Sequence, residues 1–256
     1  MIEQRVRNYF HEAVQKYDSY GIQIPPFELV ESPPAYEDQI FQATEIKSLL
    51  KSNQTPNGVR ELLDIQLKVL SIPADEELRG RLERTIQQML PSHYEERTLF
   101  QRIAMTFQGP RCFIYVHTTG TQRMNDEVLK FLTAHEVWHI AEMEILPKQQ
   151  FHPLIIEGTA TYAGIVSRYN TPTVVGISQK IFPFGSEIQN IFYHEGARIT
   201  AEVMKEKELP ELLTNKEVRA RIDEKMKQKI LDYYCEKPEL LLPLSMTISA
   251  NQMARI

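Results

Sequence analysis

The chain has 256 residues, 42% of them hydrophobic and 25% charged, and a net charge of −5. A chain this long can bury a sizeable core unaided, so a metal here would serve chemistry rather than hold the fold together. Its 29 Lys and Arg are spread along the chain instead of forming a basic face, which argues against nucleic acid as the main partner. The two cysteines, Cys112 and Cys235, form no CxxC pair, so neither a disulfide framework nor a cysteine zinc site is indicated.

From the N-terminus, Ile2, Val6, Phe10 and Val14 recur at helical spacing and predict a helix ending near Tyr20-Gly21. No apolar h-region follows, so no signal peptide is expected. No run approaches 18 apolar residues, so no membrane span is expected, and a cytoplasmic location is the default. Pro25 to Pro34 reads as extended chain, and Thr55 to Gly58 as a turn. Val59, Leu62, Leu63, Val69 and Leu70 predict a helix that stops at Pro73; Leu78, Leu82, Ile86 and Met89 mark the next. Ser92 with Glu95 is a capping-box signature ahead of Leu99, Ile103 and Phe107, which read as one more helix face.

Gln108-Gly109-Pro110 is a break, and Arg111 to Thr118 is the best strand in the chain. Asn125 and Asp126 then cap a helix running to about Ile145 and closed by Pro147, and Pro153 opens another that reaches Tyr169. Pro183 and Ser186 introduce a helix of about Glu187 to Lys205. The C-terminal third continues helical to about Cys235, with an apolar tail beyond Pro238. Within it, Asp223, Glu224, Lys225, Lys227 and Lys229 form a mixed-charge run that reads as a solvated face. The whole reads as mainly α with a small β-sheet, an α+β chain. No linker stands out. The expected division is an N-terminal helical region, 1–109, and a catalytic region, 110–256, both able to share one core.

The chemistry concentrates in His135-Glu136-Val137-Trp138-His139, a HExxH motif. On a helix, residues four apart lie one turn above each other, so His135 and His139 present two imidazoles to one point. Zinc takes such nitrogen ligands in tetrahedral geometry. Glu136 points slightly to one side, beside a metal-bound water rather than on the metal. Glu157 follows 18 positions after His139, inside an apolar run. A carboxylate so placed is expensive to bury unless it is paired or binds a metal. Gly158 permits close backbone approach, and Ala160 and Ala163 permit tight helix packing. Two histidines, one carboxylate and an open position describe a catalytic zinc site.

HExxH followed by a Glu-Gly-x-Ala helix resembles the gluzincin clan of metallopeptidases, most closely the predicted zinc-dependent proteases of bacteria. The resemblance spans roughly Arg111 to Lys205. It implies a zincin-like catalytic domain in which an active-site helix is followed by a glutamate helix. His135, His139 and Glu157 would then hold Zn2+, with Glu136 as general base. Thr161 stands where such enzymes carry an Asp that orients a metal histidine. Another acid, such as Glu142, or a backbone carbonyl would have to serve instead.

The expected activity is zinc-dependent hydrolysis of a peptide or small amide substrate, a metallopeptidase. Two alternatives stay open: a zinc enzyme acting on a small metabolite or peptide-derived natural product, and a degenerate zincin kept as a binding module. For the oxyanion of the tetrahedral intermediate, Tyr193 is the first candidate donor, with His194 and Arg198 behind it on the same expected helix. The Arg111–Thr118 strand is expected at the cleft edge, where it would pair with an extended peptide. His11, His93 and His152 have no partner pattern, and His117 reads as structural.

Overall fold

A computed structural model describes residues 2–31, 76–77, 79–80, 104–108, 112–116, 121–122, 124–145, 153–169 and 190–236. The expected turn at Thr55–Gly58, the helix over Val59 to Leu70 and the apolar tail beyond Pro238 lie outside them. So do His93, His117, His152 and the closing Pro147. The described residues are mostly helical, in line with a mainly α chain. Among them, no helix is long and apolar enough to cross a membrane.

The chain divides into two compact units, one of residues 1–34 and 101–226 and one of 35–100 and 227–254. The boundary expected near residue 109 is not where they part, because 1–34 and 101–109 belong with the HExxH helix. A cut at 109 would also split a hairpin. Strand β2 (Ala104–Gln108) pairs antiparallel with β3 (Cys112–Val116), and β1 (Phe27–Glu31) pairs parallel with β3 on its other side. Phe107 is therefore not on a helix face, since 104–108 is extended and Phe107 lies opposite Phe113, while Leu99 and Ile103 lie outside the described residues. The alternation of β3 sends Ile114 and Val116 into the core. Because β3 is central, both of its hydrogen-bonding edges are filled. It is not at a cleft edge and has none left for a substrate backbone.

Helix α1 (Gln4–Asp18) buries Val6, Phe10, Ala13 and Tyr17, spaced 4, 3 and 4 apart along one stripe, with Ala13 inside rather than the expected Val14. It ends as expected at Gly21, whose φ of 76° suits a residue without Cβ; Gly21 N–H donates to Asp18 O and Ile22 N–H to Tyr17 O. Helix α2 (Asp126–Ile145) starts where Asn125 Oδ1 accepts from Val128 N–H at 2.9 Å, an N-cap that satisfies an otherwise orphaned donor. The Tyr17 hydroxyl donates to Ala134 O at 2.8 Å, and its ring lies 5.5 Å from that of Trp138. Among the described residues, Trp138, Tyr17 and Phe131 are the largest fully buried side chains, so α1 braces the back of the HExxH turn.

Helix α3 (Pro153–Tyr169) packs along α2. The expected single helix over Glu187–Lys205 is observed in two parts, a π-helix (Asn190–Glu195) running into α4 (Gly196–Val203). A short α5 (Glu211–Thr214) precedes α6 (Lys216–Glu236). Asn215 Oδ1 caps α6 by accepting from Glu217 N–H at 3.1 Å and Val218 N–H at 3.3 Å.

Candidate metal centre

On α2, helical periodicity turns His135, Glu136, His139 and Glu142 inward, and all four are more than nine-tenths buried. A run of ionisable groups inside a core needs internal compensation. Glu157 supplies much of it. Its Oε2 lies 3.1 Å from His135 Nε2 and 3.5 Å from His139 Nε2, and the two Nε2 atoms are 3.1 Å apart. The imidazole rings meet edge to face at 4.6 Å and 89°. Three donor atoms thus form a nearly equilateral triangle. A tetrahedral zinc with bonds of about 2.0–2.1 Å spaces its ligands about 3.3–3.4 Å apart, which this triangle matches within a few tenths of an ångström. Among the described residues, His135, His139 and Glu157 form the group able to hold a metal ion.

The electrostatics point the same way. Burial acts to lower the His139 pKa, but the Glu157 carboxylate, a contact with Glu142 and the Glu136 charge overcome it and raise it to about 10. Burial acts to raise that of Glu157, but the two imidazoles hold it well below the usual carboxylate range. Without a metal the pocket retains a proton in place of a cation. Two buried carboxylates, Glu136 and Glu142, and the half-buried Glu157 surround two imidazoles. A divalent ion would offset two of those three negative charges with both histidines neutral, the form in which imidazole is a ligand.

Glycines set the approach of the helices. A Cβ on Gly158 would lie 2.7 Å from both Cα and C of Gly196, and one on Gly196 would lie 2.7 Å from Gly158 Cα. The backbones of α3 and α4 therefore touch directly beside Glu157. Three positions before Gly196, the half-buried Tyr193 has its ring 5.9 Å from that of His135. His194 follows it, also half-buried. Arg198 is not drawn in. It lies toward solvent, paired with Glu195 at 3.0 Å and Glu202 at 3.8 Å.

Thr161 stands near His135, its Oγ1 3.5 Å from Nδ1, and its own proton goes to Glu157 O at 2.7 Å. Glu142 Oε2 lies 3.6 Å from His139 Nδ1, and Thr159 donates a short hydrogen bond to Glu142 Oε1. Thr159 is not singled out by the spacing of the HExxH motif and Glu157. Its signal is a hydroxyl two residues beyond Glu157, between Gly158 and Ala160. His11 lies outside the centre, exposed and bonded to Gln15.

In comparisons with protein-family models, curated proteins and solved structures, nothing matches the chain. Function must therefore be argued from the site itself.

Proposed function

We propose that this chain is a zinc-dependent hydrolase of peptide or amide bonds, with His135, His139 and Glu157 as metal ligands and Glu136 as general base. The observation that carries the proposal is the donor triangle of 3.1, 3.1 and 3.5 Å. A zinc ion there would polarise the substrate carbonyl and lower the pKa of a water in its open position. Glu136 is one residue on from His135, buried, and close enough to act on His139 by charge. Its carboxylate takes a proton from the attacking water and passes it to the leaving amine, for which an acceptor that is not itself a ligand is required. Tyr193, its ring 5.9 Å from that of His135, would donate a hydrogen bond from its phenol to the developing oxyanion without adding a fixed charge. His194, beside it, is the substitute donor. The pairing of an HExxH helix with a packed glutamate helix favours a zincin-like catalytic domain of gluzincin type.

The test is metal content. Purified protein should carry one zinc per chain, and a His135→Ala, His139→Ala double variant should carry none while keeping its helical circular dichroism. Full zinc occupancy in the double variant would remove the site and the function with it.

A further inference from the structure

We infer that Glu142 is the positioning residue for His139, and that Thr159 holds Glu142 in place for this task; the inference rests on the metal site proposed above. His139 turns Nε2 toward the triangle, so the fate of Nδ1 decides how well the ring is aimed. Nδ1 and Glu142 Oε2 are both buried atoms without a hydrogen bond of their own, and they face each other at 3.6 Å. A donor and an acceptor left over in the same buried space need to close only about 0.6 Å to reach the usual N–H···O distance. Leaving both unmade would cost each its full desolvation penalty.

The two residues are three apart on α2, so they share a face, and the carboxylate needs an anchor from outside that helix. Thr159 provides it. It sits on α3 two residues beyond Glu157, and its hydroxyl reaches both Glu142 Oε1 and Ile156 O. A hydroxyl has one proton, and an ionised carboxylate is the stronger acceptor. With Oε1 so held, Oε2 is directed at Nδ1. A bond there selects the tautomer with hydrogen on Nδ1 and the lone pair on Nε2, facing the metal. It also increases the ligand's basicity.

His135 is treated differently. Its Nδ1 meets only the Thr161 hydroxyl at 3.5 Å, whose proton is already directed to Glu157 O. The two ligand histidines are thus unequal, and the carboxylate support belongs to His139. A competing role for Glu142 is as counter-charge to Arg219 on α6.

Zinc affinity measured by chelator competition separates these roles. Glu142→Gln should bind zinc about 10–100-fold more weakly than the parent, with all three ligands intact. Thr159→Val, which leaves Glu142 and Arg219 untouched, should lose affinity in the same direction by less. Thr159→Ser should restore it. With cobalt in place of zinc, the visible band should shift in Glu142→Gln and Thr159→Val and return in Thr159→Ser. Parent-like affinity and cobalt spectra in both Glu142→Gln and Thr159→Val would overturn the inference while leaving the metal site standing. Weakening in Glu142→Gln alone, with Thr159→Val unchanged, would also overturn it and give Glu142 to Arg219. Failure of the parent protein to bind zinc would remove the site first, and this inference with it. Should Glu142→Gln not fold, the Thr159 pair decides.

Discussion

Helices α2 and α6 are nearly equal in length, at 20 and 21 residues, and both carry many ionisable side chains, yet they use them in opposite ways. On α6, Val218, Ile222 and Met226 form the buried stripe at helical spacing, and Glu224 and Lys225 stay in water. Lys225 pairs across to Glu202 at 2.6 Å, and both side chains are roughly half exposed. Such pairs contribute little, because water already solvates each partner. On α2 the stripe itself is charged: two histidines and two glutamates occupy positions where apolar side chains would be expected. Helical spacing alone does not separate the two cases. The second helix does: α3 brings Glu157 and Thr159 to the charged stripe of α2.

On that contrast, substitutions on α2 and at the contact of α3 with α4 should be severe for chemistry, and those on α6 mild. The largest effect is expected at Glu136. Glu136→Gln keeps the shape and should keep zinc, but cannot accept a proton. Hydrolysis of a fluorogenic peptide mixture should fall about 10²–10⁴-fold. Loss of zinc in this variant would make Glu136 a ligand instead. Next comes Tyr193→Phe, for which kcat should drop about 10²–10³-fold with zinc content unchanged. An unchanged kcat there, with a large loss in His194→Ala, would move the donor role one residue along.

Gly158→Ala tests the contact of α3 with α4 by sterics. The new Cβ meets backbone atoms, which have no rotamer to move, so α3 and α4 must separate. Destabilisation of about 1–3 kcal/mol is expected, seen as a lower midpoint in urea, together with a fall in kcat as Tyr193 shifts. A parent-like midpoint would mean that the helices do not meet there.

The pH dependence follows from the same buried charges. The raised pKa of His139 stabilises the zinc-free protein fully below its unfolded value of 6.5, and that contribution is lost as pH rises toward about 10. The lowered pKa of Glu157 stabilises it above 4.5, a contribution lost as pH falls toward the depressed value. Chelator-treated protein should therefore melt at progressively lower temperature from pH 6.5 upward. Zinc, which displaces the His139 proton, should stabilise more strongly over the same range. A flat chelated profile, equal to that of His139→Gln, would separate His139 from the buried acids. The smallest effect is on α6, where Lys225→Ala should change stability by less than about 1 kcal/mol. A larger loss there would erase the contrast between the two helices.

Much of this was legible in residue order, because its signals are local. The caps at Asn125 and Pro153, and the four-residue step from His135 to His139, need only the chain on either side. The extended state of 104–108 was not legible, since Leu99, Ile103 and Phe107 fit a helical stripe equally well. What decides is pairing with β3, a tertiary contact that overrides local pattern. The central place of β3 was hidden for the same reason, as it depends on β1 some 85 positions earlier, where Phe27 faces Cys112. The π-helix had no local signature either. Its wider turn accommodates one more residue than an α-turn before Gly196 reaches Gly158. The link from Thr159 to Glu142 joins residues on separate helices, and no spacing rule couples them.

The contact between Gly158 and Gly196 also has a mechanical meaning. Most helix pairs meet through side chains, which act as soft springs because each can rotate about its bonds. Here the two main chains bear on one another with nothing compliant between them. A pull on Tyr193 is transmitted through three residues of main chain to Gly196, across the contact to Gly158, and so to Glu157 at its side. The segment that carries Tyr193 and the carboxylate that completes the triangle are therefore coupled almost as rigidly as neighbouring links of one chain.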